Sequence, residues 1–211
     1  MGEKRRVDCT RGTTVISLHM LILNEAELLP KLLEYLKPHV AETVIVVDDK
    51  TTDKSEEIAQ SYGARTYRRA LNHDFAAVRN FGLGQVTQPW VFQVDADEWP
   101  QEDLLRWFPI FLNSEFAKET DVVSVCRENL IDGQRIGCNT YEWQHRLFRS
   151  HMRFVGRIHE FVIPPAGRRT LAPRGHLLLH HKASARQERA NKWYMEWPEQ
   201  RAIVENSTRR A

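Results

Sequence analysis

Four consecutive residues, Asp95-Ala96-Asp97-Glu98, follow the apolar run Val91-Phe92-Gln93-Val94 and hold the densest chemistry in the chain. Residues two apart on an extended strand share a face. The spacing therefore predicts that Asp95 and Asp97 present their carboxylates together at a strand's carboxyl end, where ligands bind in open α/β sheets. Two hard oxygen donors with no sulfur beside them suit Mg2+ or Mn2+, the shell being completed by phosphate oxygens. Taken alone, the four residues read more readily as an acidic turn, and the upstream pattern reverses that.

A second acidic site follows the β-branched run Val44-Ile45-Val46-Val47, at Asp48-Asp49. A carboxylate just past a buried strand can accept from a ribose hydroxyl or a base N–H. We assign Asp48 to a ligand and Asp53 to the cap of the next helix. Arg79 lies one turn into a helix capped by Asp74, and its rigid fork of donors suits phosphate or carboxylate. His180 and His181, at a strand end, offer an imidazole for a metal or a phosphate.

Strands and helices must alternate to position these groups. Val15-Ile16-Ser17-Leu18 reads as a buried first strand, and Asn24 as the N-cap of a helix reaching Leu36, with leucines at helical spacing. A continuous apolar run at 44–47 is expected of a parallel strand covered on both faces. A helix from about Asp53 to Tyr62, a strand over 64–67, a helix from Asp74 to about Gln85 and the strand after Pro89 complete an order that argues for βαβ units. Beyond Glu98 the pattern changes. A helix over 103–112 precedes strands over 122–127, 142–148 and 176–180, with a turn at Asp132-Gly133, which predicts a mixed or antiparallel portion. A closing helix is expected from Ala185 to about Asn206, interrupted at Pro198. The fold class is α/β, a mostly parallel sheet flanked by helices with a smaller mixed half. The whole of 1–211 reads as a single domain, 13–99 forming one half and 100–211 the other.

Composition sets bounds on this reading. Of the 211 residues, 42% are hydrophobic and 27% charged, ordinary values for a globular chain. A net charge of +2 does not call for nucleic acid. No apolar run reaches membrane-spanning length, so a cytoplasmic protein is expected. Cys9, Cys126 and Cys138 lack metal-site spacing and suggest reduced thiols.

The ordered set of motifs resembles the family 2 glycosyltransferases of GT-A fold. It runs Ser17-Leu18-His19-Met20-Leu21-Ile22-Leu23-Asn24-Glu25, Val46-Val47-Asp48 with Thr52-Asp53, Asp74-Phe75 with Arg79-Asn80, and Asp95-Ala96-Asp97-Glu98. Arg146-Leu147-Phe148-Arg149, Phe154-Val155-Gly156-Arg157-Ile158-His159-Glu160, and a last helix with Lys192 and Tyr194 extend the match. It looks most like the bacterial branch related to β-1,4-glucosyltransferases of surface glycans, over roughly 14–194.

The resemblance implies that Leu23, Glu25 and Asp48 hold the nucleoside of a nucleotide-sugar, a UDP-sugar foremost, and that Arg79 positions the nucleotide or braces its loops. Asp97 and Asp95 would bind Mn2+ or Mg2+, with Asp95 also contacting ribose, and His181 is the further candidate metal ligand. Inverting transfer needs a general base, and the His159-Glu160 pair assigns it to Glu160, with His159 lining the site; the alternative is a structural Glu160 paired with Arg157 or another nearby arginine. Lys50 stands where the family has a residue tolerant of positive φ, so the nucleotide loop is expected to differ there. Trp99 and Trp143 are candidates for stacking on a sugar. The acceptor hydroxyl would belong to a glycan, a lipid or a modified nucleobase in DNA. The rival readings are a nucleotide-binding module without transfer and a nucleotidyltransferase.

Overall fold

The computed structural model describes residues 15–135, 141–194 and 197. The first half runs β1 (Ile16–Ile22), α1 (Leu29–Leu36), β2 (Glu42–Val47), α2 (Ser55–Ser61), β3 (Arg65–Arg68), α3 (Phe75–Leu83) and β4 (Trp90–Gln93). It continues with β5 (Glu98–Pro100), α4 (Glu102–Leu112), α5 (Glu115–Glu119), β6 (Val122–Ile131), β7 (Gln134–Arg135) and β8 (Tyr141–Arg149). The hairpin β9 (Phe154–Val155) and β10 (Phe161–Val162) precedes β11 (Arg169–Leu171), β12 (Leu177–Lys182) and α6 (Ser184–Tyr194).

One sheet passes through both halves in the order β3-β2-β1-β4-β8-β6-β12-β5. Its first four strands are parallel, while β8 and β5 run antiparallel to their neighbours. The mixed portion is thus a continuation of the parallel sheet. The hairpin β9–β10 forms a separate two-stranded sheet.

Strand alternation divides the core. Ile16, Leu18, Met20, Ile22, Trp90 and Phe92 face the leucines of α1 and the apolar stripe Leu104, Leu105, Phe108 and Phe111 of α4. Val91 and Phe148 face the other way, against Ala76 and Leu83 of α3 and against Phe154 and Val162 of the hairpin. His19 and Gln93 are register partners on that second face, with the imidazole Nδ1 bonded to Gln93 Oε1. Gly82 lets α3 approach them closely, since a Cβ there would lie 2.1 Å from His19 Nε2. Burial lowers the His19 pKa to about 4, more than the bond to Gln93 raises it, so the ring is neutral.

Several boundaries differ from expectation. The first helix begins at Leu29 behind Leu28, because Asn24 takes φ +55° and turns its side chain to the neighbouring loop. Asp53 stands just outside α2 and accepts from Ser55 N–H at 2.9 Å, while Asp74 caps α3 through Ala77 N–H at 2.8 Å. Asp132 and Gly133 both adopt positive φ, as the tight β6–β7 hairpin requires. The closing helix expected beyond residue 194 lies outside the described residues apart from Trp197, which stacks on Phe75. Cys126 is a free thiol, and Cys9 and Cys138 lie outside the described residues. Among the described residues no helix is long and apolar enough to cross a membrane.

Candidate active site

The carboxyl ends of the parallel strands carry the first-half loops, and those loops are tied to each other. Asn24 Oδ1 accepts from Thr52 N–H at 2.8 Å and from Asp53 N–H at 3.2 Å. Asp53 Oδ2 accepts from Ala26 N–H at 3.0 Å, and Ser55 Oγ from Glu25 N–H at 2.7 Å. Asp48 is buried, with Oδ1 accepting from Lys50 N–H at 2.8 Å. Lys50 is not among the residues with positive φ, so this turn accommodates a lysine without left-handed backbone. Leu23 is exposed and Glu25 buried at the same rim.

The acidic segment does not continue β4. The strand stops at Gln93, and Glu98 N–H donates to Asp95 O at 3.0 Å, closing a turn. Glu98 Oε2 in return accepts from Asp95 N–H at 3.1 Å. Asp95 and Asp97 therefore lie in a turn and not on an extended strand. Asp95 follows Val91 and Gln93 on the α3 side, where Oδ1 accepts from Arg79 at 3.0 Å and Oδ2 from Arg146 at 3.2 Å. Burial alone would raise the Asp95 carboxyl, yet the two guanidinium charges hold it well below the usual carboxylate range.

Asp97 faces β12. Its Oδ2 lies 3.5 Å from His180 Nε2, and its carbonyl accepts from His181 N–H at 2.8 Å. His180 Nδ1 is bonded to Asn129 Oδ1 at 2.8 Å, which orients Nε2 toward Asp97. The alternation of β12 leaves His181 exposed, so the imidazole beside Asp97 belongs to His180 and not to His181.

Glu160 arrives from the β9–β10 hairpin. Its Oε1 accepts from Arg79 Nε at 2.6 Å, so one buried guanidinium spans Asp95 and Glu160. Helix α3 also anchors the hairpin backbone. Asn80 donates to Phe154 O at 2.9 Å and accepts from Phe154 N–H at 2.8 Å, and Phe75 N–H donates to Arg157 O at 3.0 Å. His159, with φ +55°, is exposed beside Glu160.

Beyond Asp95 the charges keep alternating. Arg146 also bonds the fully buried Glu98, Glu98 accepts from Arg127 at 3.1 Å, and Arg127 bonds Glu142. Glu160, Arg79, Asp95, Arg146, Glu98, Arg127 and Glu142 thus form an unbroken ionic chain from α3 to the edge of β8. Sequence reasoning assigned no role to Glu98, Arg127 or Asn129. Arg146 did carry a signal, since a guanidinium beside the buried Leu147-Phe148 must find a partner. Trp99 stacks on Tyr35 with centroids 4.6 Å apart, a packing role, whereas Trp143 stays exposed.

These residues give a graded fit to a divalent ion. Asp95 fits less well as a ligand, since each of its oxygens has one lone pair committed to a guanidinium group. Asp97 and His180 fit well, as a carboxylate oxygen and an oriented imidazole nitrogen facing each other. Among the described residues no three His, Cys, Asp or Glu side chains converge on one point. Water or substrate phosphate would have to complete the shell of any ion held there.

Comparison with known proteins agrees with this architecture. The family model for Glycosyl transferase family 2 matches residues 17–168. A TPR repeat-containing protein of Synechococcus elongatus is 34% identical over 149 residues, which cover 70% of this chain and 35% of that protein. The lipopolysaccharide core biosynthesis glycosyltransferase LpsC of Rhizobium meliloti is 32% identical over 101 residues, 46% of this chain and 37% of its own. The chain therefore spans little more than a third of these curated relatives. Among solved structures, S. aureus TarS 1-349 superposes with a TM-score of 0.58 at 15% identity, covering 79% of this chain and 60% of TarS. The TarS complex with UDP-GlcNAc superposes at 0.56 with 16% identity over 79% and 58%.

Proposed function

This chain belongs to glycosyl transferase family 2, and on that premise we propose that it moves a hexose-like sugar from a nucleoside diphosphate, UDP foremost, to an acceptor hydroxyl with inversion. The observation that carries the proposal is the buried Arg79, whose single guanidinium bonds both the acidic turn and Glu160. It sets a donor-side loop and a candidate base on either side of one cation.

Each residue then has a task. The tied loops carrying Leu23, Glu25 and Asp48 receive the nucleoside, with the Asp48 carboxylate accepting from ribose or base. Asp97 and His180 would hold Mn2+ or Mg2+, which supplies Lewis-acid neutralisation of the leaving diphosphate. Asp95, pinned by two guanidinium groups, fixes the turn that presents Asp97 and leaves direct ligation to its neighbour. Glu160 takes the proton from the acceptor hydroxyl as the anomeric carbon is attacked opposite the diphosphate. Its bond to Arg79 aims the carboxylate, and His159 lines the acceptor side. The acceptor is a glycan or lipid hydroxyl, with a DNA nucleobase as the lesser option.

A thermal-shift screen of nucleoside diphosphates and their sugars, with and without Mn2+, tests this reading. Stabilisation by a UDP-sugar, followed by release of UDP on adding acceptor, supports it. Stabilisation without sugar transfer or donor hydrolysis would leave a binding module, and pyrophosphate release from a triphosphate would mean a nucleotidyltransferase.

A further inference from the structure

Charge is distributed unevenly along this chain. Between Trp143 and Lys182 there are eight Lys and Arg but one carboxylate, Glu160, against 22 Lys and Arg and 27 Asp and Glu elsewhere. The segment therefore carries +7 and the remainder −5. Arg153, Arg157, Arg169 and Arg174 of this segment are exposed.

The same segment exposes apolar side chains. Val155, Phe161 and Ile163 are 40%, 51% and 60% exposed. Val155 and Phe161 are register partners across the hairpin, and Ile163 lies two residues further on, so the three share the outer face. The alternate residues Phe154 and Val162 are buried inward against Phe148 and Val91. Arg153 and Arg157 bracket Val155 along the chain. Arg169 is the register partner of Val122, which pairs with Phe148 and packs with Phe154 and Val162 of the hairpin. An apolar face set among exposed arginines is the pattern of a surface that rests on anionic headgroups with its apolar residues at the acyl boundary.

We propose that the outer face of the β9–β10 hairpin docks this protein onto an anionic phospholipid surface, with Val155, Phe161 and Ile163 entering the interface and Arg153 and Arg169 pairing with headgroups. A polyanion such as nucleic acid would use the arginines but gain little from an aliphatic patch, so the exposed Ile163 and Val155 favour the bilayer. Docking does not depend on the transferase reading. Where both hold, Glu160, which immediately precedes Phe161, meets acceptors at the membrane surface.

Co-sedimentation of the full chain with phosphatidylcholine vesicles, with and without phosphatidylglycerol, tests the proposal. Binding is expected only with the anionic lipid and weakens with salt. Phe161→Ser with Ile163→Ser, both exposed and outside the core, should lower partitioning about tenfold. Arg153→Glu with Arg169→Glu should abolish the anionic preference. Asp97→Ala should sediment like the wild type, which separates loss of docking from loss of transfer. Failure to bind phosphatidylglycerol vesicles would overturn the proposal. So would undiminished binding of the Phe161/Ile163 variant, or a short DNA duplex that displaces the protein from vesicles while binding wild type and that variant equally.

Discussion

The two halves of the molecule meet at β4 and are held by different forces. In the first half, parallel strands bury on both faces, and the loops at their ends are joined by neutral or backbone hydrogen bonds such as Asn24 to Thr52 and Ser55 to Glu25. In the second, antiparallel strands carry Arg127, Arg146 and Glu142 inward or to the edge, and the ionic chain from Glu160 to Glu142 does the joining. The first-half loops are thus held by bonds to backbone N–H groups, while the ionic chain is a run of charges that each need their neighbour. Changes in the ionic chain should therefore spread, and changes in the first-half loops should stay local.

The largest effect is expected at Glu160. Glu160→Gln keeps a partner for Arg79 yet removes the base, so turnover should fall about 10²- to 10⁴-fold while donor binding is kept. Steady-state kinetics beside donor titration checks this, and normal turnover would require another base. Arg79→Ala comes next. It strands Glu160, leaves Asp95 with Arg146 alone, and should cost about 3–5 kcal/mol of stability, read by denaturant unfolding. A smaller loss, within the range of surface pairs, would break the contrast between halves.

Acidification separates the neutral His19 from the ionic chain by pH. The folded pKa of His19, about 4, lies below its ordinary 6.5, so the fold favours the neutral ring. Above pH 6.5 this costs nothing. As pH falls from 6.5 to 4 the unfolded chain takes up a proton the folded chain refuses, and about 3 kcal/mol of stability is lost. Asp95 is depressed as well, but from a carboxylate's starting point, so its contribution is lost only at more acid pH. His19→Gln should flatten the upper window and leave the lower one, as followed by urea unfolding across pH. The smallest effect is steric and confined to the first half. Gly82→Ala would press on His19 and on Val46 Cγ2, 2.8 Å away, costing about 1–3 kcal/mol with the kinetics of Glu160-dependent transfer unchanged.

Sequence made the first half readable because its signals are local. The run at 44–47, the Asp74 cap and the order of strand and helix each follow from neighbouring residues, and each has its counterpart in the structure. Asn24 misled because a good capping side chain can serve a different loop when its backbone turns left-handed. The pairing of Asp95 with Asp97 assumed that strand geometry persists past Gln93, whereas a turn intervenes. The choice between His180 and His181 depends on which face of β12 meets Asp97, and that is a matter of register with β5 and β6. Glu98, Arg127 and Asn129 were illegible for the same reason, since the partners that tie them across the sheet lie 15 to 51 residues away.

The central claim is that Asp97, and not Asp95, carries the metal-linked hold on the donor diphosphate. Calorimetric titration of UDP with and without Mn2+, on wild type and Asp97→Ala, tests it most directly. Mn2+ should tighten UDP binding at least about tenfold in the wild type and have no effect in the folded variant. Metal-independent UDP affinity in the wild type, or undiminished Mn2+ enhancement in Asp97→Ala, would contradict the account.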